Sequence, residues 1–174
     1  MAKGRTKIYN NVVEHRLLWD AERVEDITRI TLPTLEHPTD TYSGEGLTAD
    51  LDIPNESKVN AMEMSVAHNN GVNCNHLKQP GIHSIEVRIA RQMLNTTNRQ
   101  LGYESDKYRM EVEHKSTEEG TIERGNPLGS TEKFTVWSYQ KVVDGNIVDH
   151  VDATSGILIK DGVDCTTDIS AVLD

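Results

Sequence analysis

His68, Cys74, His76 and His83 form the one stretch of the chain that mixes imidazole with thiol, the side chains that bind transition metals. A structural zinc site built from such residues uses paired ligands two to four positions apart, and this stretch contains a single cysteine. Loop histidines account for it more simply, and no metal or cofactor is expected. Gly44-Glu45-Gly46 lacks the third glycine of a dinucleotide-binding turn, and no strand feeds a helix there. The sequence has no Gly-Lys-Ser/Thr phosphate loop and no Gly-x-Ser-x-Gly elbow. Glu118 and Glu119 could in principle exchange protons, but adjacent carboxylates in a polar connection are ordinarily a solvated patch. The chain is expected to have no catalytic residues and not to be an enzyme.

The elements that would have to position any chemistry are strands. Ile85, Val87 and Ile89 alternate with Glu86 and Arg88. Tyr108, Met110, Val112 and His114 alternate with Arg109, Glu111, Glu113 and Lys115. Met62, Met64 and Val66 alternate with Glu63 and Ser65. A period of two is the mark of a half-buried strand. Further β-rich runs are Val24–Leu32, Lys133–Val143 and Ile147–Thr154. Asp144-Gly145-Asn146 is hairpin chemistry, and Asp161-Gly162 closes the following segment. The polar stretch from Glu118 to Ser130 reads as a loop. Val12–Ala21 fits either a short helix or an extended arm, and Asn75–Lys78 fits a helical turn before Pro80-Gly81. The pattern predicts a mostly β domain, an antiparallel sandwich or small barrel with a short helix. One extended segment, Asp40 to Asp52, lacks a buried pattern, and a loop of that length is usually functional or disordered.

A chain of 174 residues suits one compact domain that buries about 70% of its unfolded surface without a disulfide or metal. Only 36% of its residues are hydrophobic and Phe134 is the sole phenylalanine, so much of the surface is meant for water or polar contacts. The net charge of −10 disfavours a nucleic-acid binder, which needs clustered cations to displace counterions from phosphate. The densest basic run is Lys3, Arg5 and Lys7, expected to be a solvated arm. A polar stretch follows Met1 and no window is apolar enough for a membrane span, so synthesis in the cytoplasm is expected. Cys74 and Cys165 are then expected to be reduced.

Three stretches together give the chain a family resemblance. The first is Val24-Glu25-Asp26-Ile27-Thr28-Arg29-Ile30-Thr31-Leu32-Pro33-Thr34-Leu35 with the turn Tyr42-Ser43-Gly44-Glu45-Gly46. The second is Ala61-Met62-Glu63-Met64-Ser65-Val66. The third comprises Phe134–Tyr139, Val143-Asp144-Gly145-Asn146, Val148–Asp152 and Ile159–Asp164. In this order and spacing they resemble the major tail tube proteins of contractile-tailed bacteriophages, from about Val24 to the C-terminus. The division expected is an N-terminal arm over 1–23 and a tail tube β domain over 24–174.

The resemblance implies subunits that close into hexameric rings and stack into a hollow tube within a contractile sheath. It also implies a helix in the polar segment around Asn69–Pro80. Expected partners are further copies of the chain, the sheath protein, the baseplate and tail terminator proteins, and DNA that passes along the lumen without specific binding. The site of action would be the virion tail. The tube of a headless contractile bacteriocin, or of a related secretion system, would carry the same fold. A soluble β-barrel binding module or enzyme is the reading from another class, and would show a concave apolar pocket. The candidate inter-ring loop is Thr41, Tyr42, Ser43, Gly44, Glu45, Gly46, Leu47 and Asp50. Candidate lumen residues are Glu86, Arg88, Arg109, Glu111 and Glu113, on the reasoning that a carboxylate-rich lining repels phosphate.

Overall fold

The computed structural model describes residues 6–69 and 71–173; Lys3 and Arg5 of the basic run lie outside them. The described residues form twelve strands: β1 Lys7–Trp19, β2 Glu22–Val24, β3 Ile27–Thr31, β4 Thr39–Tyr42, β5 Leu51–Pro54, β6 Met62–His68, β7 Ile82–Asn95, β8 Gln100–Glu118, β9 Ser130–Val143, β10 Asn146–Asp152, β11 Ile157–Lys160 and β12 Val163–Asp164. A short helix α1 (Gly71–Cys74) continues into a 3₁₀ turn (Asn75–Lys78), so the polar segment before Pro80 is helical as expected. A second helix, α2 (Thr167–Leu173), buries none of its residues, and no periodic signal announced it.

All pairing is antiparallel, and ten strands form one sheet in the order β12-β11-β10-β9-β8-β7-β1-β2, with β6 joining β9 and β3 joining β6. The sheet forks at β9. One edge of that strand pairs with β8 along its length, while the other edge is shared, Ser130 to Val136 with β6 and Ser138 to Val143 with β10. Trp137 stands at the fork. The path β3-β6-β9-β8-β7-β1-β2 begins and ends on strands joined by only Glu25 and Asp26, so the sheet rolls round an apolar core. Leu17, Trp19, Met64, Ile85, Met110, Val112 and Phe134 fill it. The sandwich or barrel expected from the alternation is therefore a single rolled and branched sheet.

Local chemistry explains the turns. Asp20-Ala21, Asp144-Gly145 and Asp161-Gly162 each join two strands with both residues at positive φ, the left-handed pair that matches strand twist. The run Val24–Leu32 divides into β2 and β3 because Asp26 sits at φ 62°, where its carboxylate accepts from Asn73 Nδ2 at 2.8 Å. Of the two forms open to Val12–Ala21, the extended one is adopted and the helix is not. Residues 12–19 belong to β1, which pairs with β7 through two register shifts, since Leu17 and Trp19 bury side chains at a spacing of two. β2 then ends on Val24, a core residue.

Candidate assembly surfaces

The segment read as a long loop is a hairpin arm. Among the described residues β4 and β5 pair only with each other, in the register Tyr42↔Leu51, Thr41↔Asp52, Asp40↔Ile53 and Thr39↔Pro54. Every residue from Thr39 to Pro54 is exposed. The pairing places Tyr42, Leu51 and Ile53 on one face, with Asp40 opposite Ile53 at its base, while on the other Thr41 Oγ1 donates to Asp52 Oδ1 at 2.7 Å. Ser43, Gly44, Glu45, Gly46, Leu47 and Asp50 form the tip, where Gly46 takes φ 92° and Leu47 N–H donates to Gly44 O. The arm thus has a polar side and a mainly apolar side edged by Asp40. It escaped sequence reading as strands because neither face is buried against its own domain.

The base of the arm is fixed. Asn55 N–H donates to Pro38 O at 2.8 Å and Asn60 N–H to Glu36 O at 2.7 Å. Lys160 Nζ donates to His37 Nε2, leaving His37 Nδ1–H to donate to Lys58 O. The arm is therefore anchored at β11 and free beyond Thr39.

The five charged lumen candidates share one sheet face. The unbroken β7–β8 register pairs Glu86 with Arg109, Arg88 with Lys107, Ser84 with Glu111 and Ile82 with Glu113. Glu86 accepts from Arg88 Nε and, at 3.2 Å, from Arg109 Nε; although partial burial raises its pKa, these two guanidiniums hold its carboxyl below the ordinary range. Glu14 and Arg16 of β1 lie on the same face, opposite Ala90 and Arg88. Four anions (Glu14, Glu86, Glu111, Glu113) thus meet four cations (Arg16, Arg88, Lys107, Arg109). The face is balanced and not carboxylate-rich. The acidic surplus lies elsewhere, in part on the arm, where Asp40, Glu45, Asp50 and Asp52 occur with no lysine or arginine between Thr39 and Pro54.

The histidines and Cys74 are dispersed into separate structural roles. His68 reaches Glu132, His83 Nδ1 bonds Asp20 Oδ2 at 2.7 Å and stacks on Trp19, and His76 meets the edge of Trp19. Burial pushes the Cys74 thiol up to about 11, and its Sγ donates to Glu25 O. Cys74 and Cys165 are free thiols. Among the described residues no group of three or more His, Cys, Asp or Glu is arranged to hold a metal ion, and no helix is long and apolar enough to cross a membrane.

Glu132 is the residue that sequence reading missed. It has no exposed surface and accepts from Thr117 Oγ1 at 2.6 Å and His114 Nε2 at 2.8 Å, with His68 Nε2 at 3.4 Å and Lys78 Nζ at 3.8 Å. Burial alone would raise its pKa, but these donors outweigh it and the carboxyl titrates below the usual range. The signal was available: Ser130, Glu132, Phe134 and Val136 alternate inward along β9. The cluster clamps the 3₁₀ turn, β6 and β8 onto β9. At the fork, an apolar cleft of about 350 Å³ is lined by Met62, Val136, Trp137, Val151 and Leu158. Its one carboxylate, Asp152, is held by Thr154 and Ser155.

The chain is a mostly β domain whose distinctive surface features are an exposed arm and a charged sheet face. No curated protein sequence matches the chain. The family model described as phage tail tube protein FII matches residues 16–173, all but the first part of β1. The chain belongs to the phage tail tube protein FII family.

Proposed function

We propose that this chain is the repeating subunit of the inner tube of a contractile phage tail, in which hexameric rings stack into a conduit for DNA. A structural tail-tube role follows from the family; the ring, the sheath around it and the DNA cargo are the finer reading. The observation that carries it is the arm. An isolated two-stranded hairpin is marginal in water, and this one turns Tyr42, Leu51 and Ile53 to solvent at 58%, 49% and 53% exposure. Such a face is explained by a neighbouring subunit in the adjacent ring.

The balanced face of β7 and β8 suits a lumen in a different way from the acidic lining expected. Arg88 and Arg109 spend their guanidiniums on Glu86, so they are poor ligands for phosphate, and DNA would slide over paired charges. The sheath, baseplate and tail terminator proteins would engage the outer surface and the two ends of the tube. Assembly would occur in the bacterial cytoplasm before incorporation into the virion tail.

Negative-stain microscopy of the purified chain tests this reading. Rings with sixfold symmetry, or tubes built from them, are the expected result. A chain that remains monomeric at high concentration, with featureless small particles, overturns it.

A further inference from the structure

The arm's apolar face needs a receiving surface, and the far end of the main sheet offers one of matching chemistry. There β1, β7 and β8 continue as a three-stranded finger. Among the described residues no strand pairs with the far edge of β1 before Leu17 or of β8 before Asp106. Ile8 lies opposite Leu94, Leu94 opposite Leu101, and Tyr103 follows Leu101 on the same face. Ile8, Leu101 and Tyr103 are 43%, 65% and 68% exposed.

The two faces of the finger differ sharply. On the other face Tyr9 OH donates to Glu104 at 2.7 Å, Lys7 also bonds Glu104, Arg91 pairs with Asp106 at 2.8 Å, and Arg91 lies over the Tyr9 ring. That face is satisfied within the chain, whereas the Leu94–Leu101 face, which continues the charged face of β7 and β8 toward their turn, exposes Leu101 and Tyr103. Charge completes the match. The arm carries four carboxylates and no cation from Thr39 to Pro54, while Arg99 is the only charged residue in the finger's turn.

We propose that the finger face of one copy (Ile8, Leu94, Leu101, Tyr103) receives the arm face of another copy (Tyr42, Leu51, Ile53). This rests on reading the arm as an inter-ring contact and names the surface that receives it. Both faces are exposed on the same chain, so neither covers the other within a subunit. Because two different surfaces pair, the contact is head-to-tail, the class that closes into a ring or repeats as an open stack according to the rotation between copies. In this proposal it is the stacking contact. Arg99 at the finger's turn would meet the acidic tip of the arm, paired there with Asp50.

The test uses two single-cysteine additions, Leu51→Cys and Leu101→Cys, each on a Cys165→Ser background with the buried Cys74 retained. Tubes are assembled from an equal mixture and treated with a short flexible bismaleimide. The expected result is a covalent dimer in the mixture, at least tenfold above either variant alone. Tubes that form normally but yield no mixed dimer overturn the pairing and leave the tube reading standing. An unmodified chain that forms no rings or tubes overturns both. Should the cysteine variants not assemble, charge reversal decides: Arg99→Glu and Asp50→Lys each shorten tubes, and together they restore length. Failure of the double variant to recover likewise overturns the pairing.

Discussion

His114 and Glu132 meet across β8 and β9, Nε2 to Oε2 at 2.8 Å, around a carboxylate with no exposed surface. Removing that carboxylate by Glu132→Ala would leave His68, His114 and Lys78 facing an empty site. The expected destabilisation is about 3 kcal/mol, the size found when one partner of a buried ionic cluster is deleted. Chemical denaturation of the subunit, followed by far-UV circular dichroism, measures it.

The same carboxyl gives stability an acid limb. Its folded pKa lies below the ordinary value of 4.5, so in the interval between them the unfolded chain binds the proton that the folded chain refuses. The contribution is complete above pH 4.5 and is lost as the pH falls through the folded value. Glu132→Gln should flatten that part of the stability–pH curve relative to the unaltered chain. An unchanged acid limb would contradict the clamp.

The strands were legible where one face is buried. β6 and the middle of β8 declare themselves by strict alternation, because Met62, Met64, Val66, Met110 and Val112 all reach the core. β4 and β5 gave no such signal, since both faces of the arm meet water and nothing within the chain imposes a period. The Asp20-Ala21 turn was hidden for another reason: Ala21 takes φ 71°, a conformation its residue type does not advertise. Here tertiary bonds decide, with Asp20 Oδ1 accepting from Ser84 N–H at 2.9 Å and Asp20 N–H donating to Ser84 O at 2.8 Å. The charged face and its balance could be listed from β7 and β8 alone, where Glu86, Glu111 and Glu113 meet Arg88, Lys107 and Arg109. The further pair Glu14 and Arg16 comes from β1, whose position in the sheet no local pattern revealed.

The arm should be separable from the fold. Tyr42→Ser with Leu51→Ser removes two exposed apolar side chains that touch no core residue, so subunit stability should change by no more than about 0.5 kcal/mol. Tube formation should fall at least tenfold, read by sedimentation and microscopy. A large drop in the thermal midpoint of the subunit would mean that the arm packs on its own domain.

Two glycines at positive φ predict a contrast in the connection between β8 and β9. Gly120 and Gly125 have φ near 87° and 91°, so an alanine at either carries a backbone cost of about 1–3 kcal/mol. At Gly125 the added methyl meets open space. At Gly120 it would lie 2.1 Å from Leu128 O and 2.9 Å from Gly129 O, inside the backbone pairing of Thr121 N–H with Leu128 O. Gly120→Ala should therefore be the more destabilising and open the loop to proteolysis, while Gly125→Ala should resist cleavage as the unaltered chain does.

The balanced face gives a prediction about cargo. Glu86→Lys reverses the hub that holds Arg88 and Arg109, releasing two guanidiniums and adding an ammonium on one sheet face. The lost surface pairs are worth at most about 1 kcal/mol each, so the subunit should still fold and assemble. If the face lines the lumen, each subunit of the variant tube presents five cations against three carboxylates where DNA passes. Because such contacts release counterions, DNA retention should rise in the variant and be strongest at low salt, fading as ionic strength increases. Ejection from phage carrying the variant, followed at two salt concentrations, reads this directly. Equal kinetics at both would place Glu86 on the outside of the tube, where the charge pairs would face sheath or solvent instead of the genome.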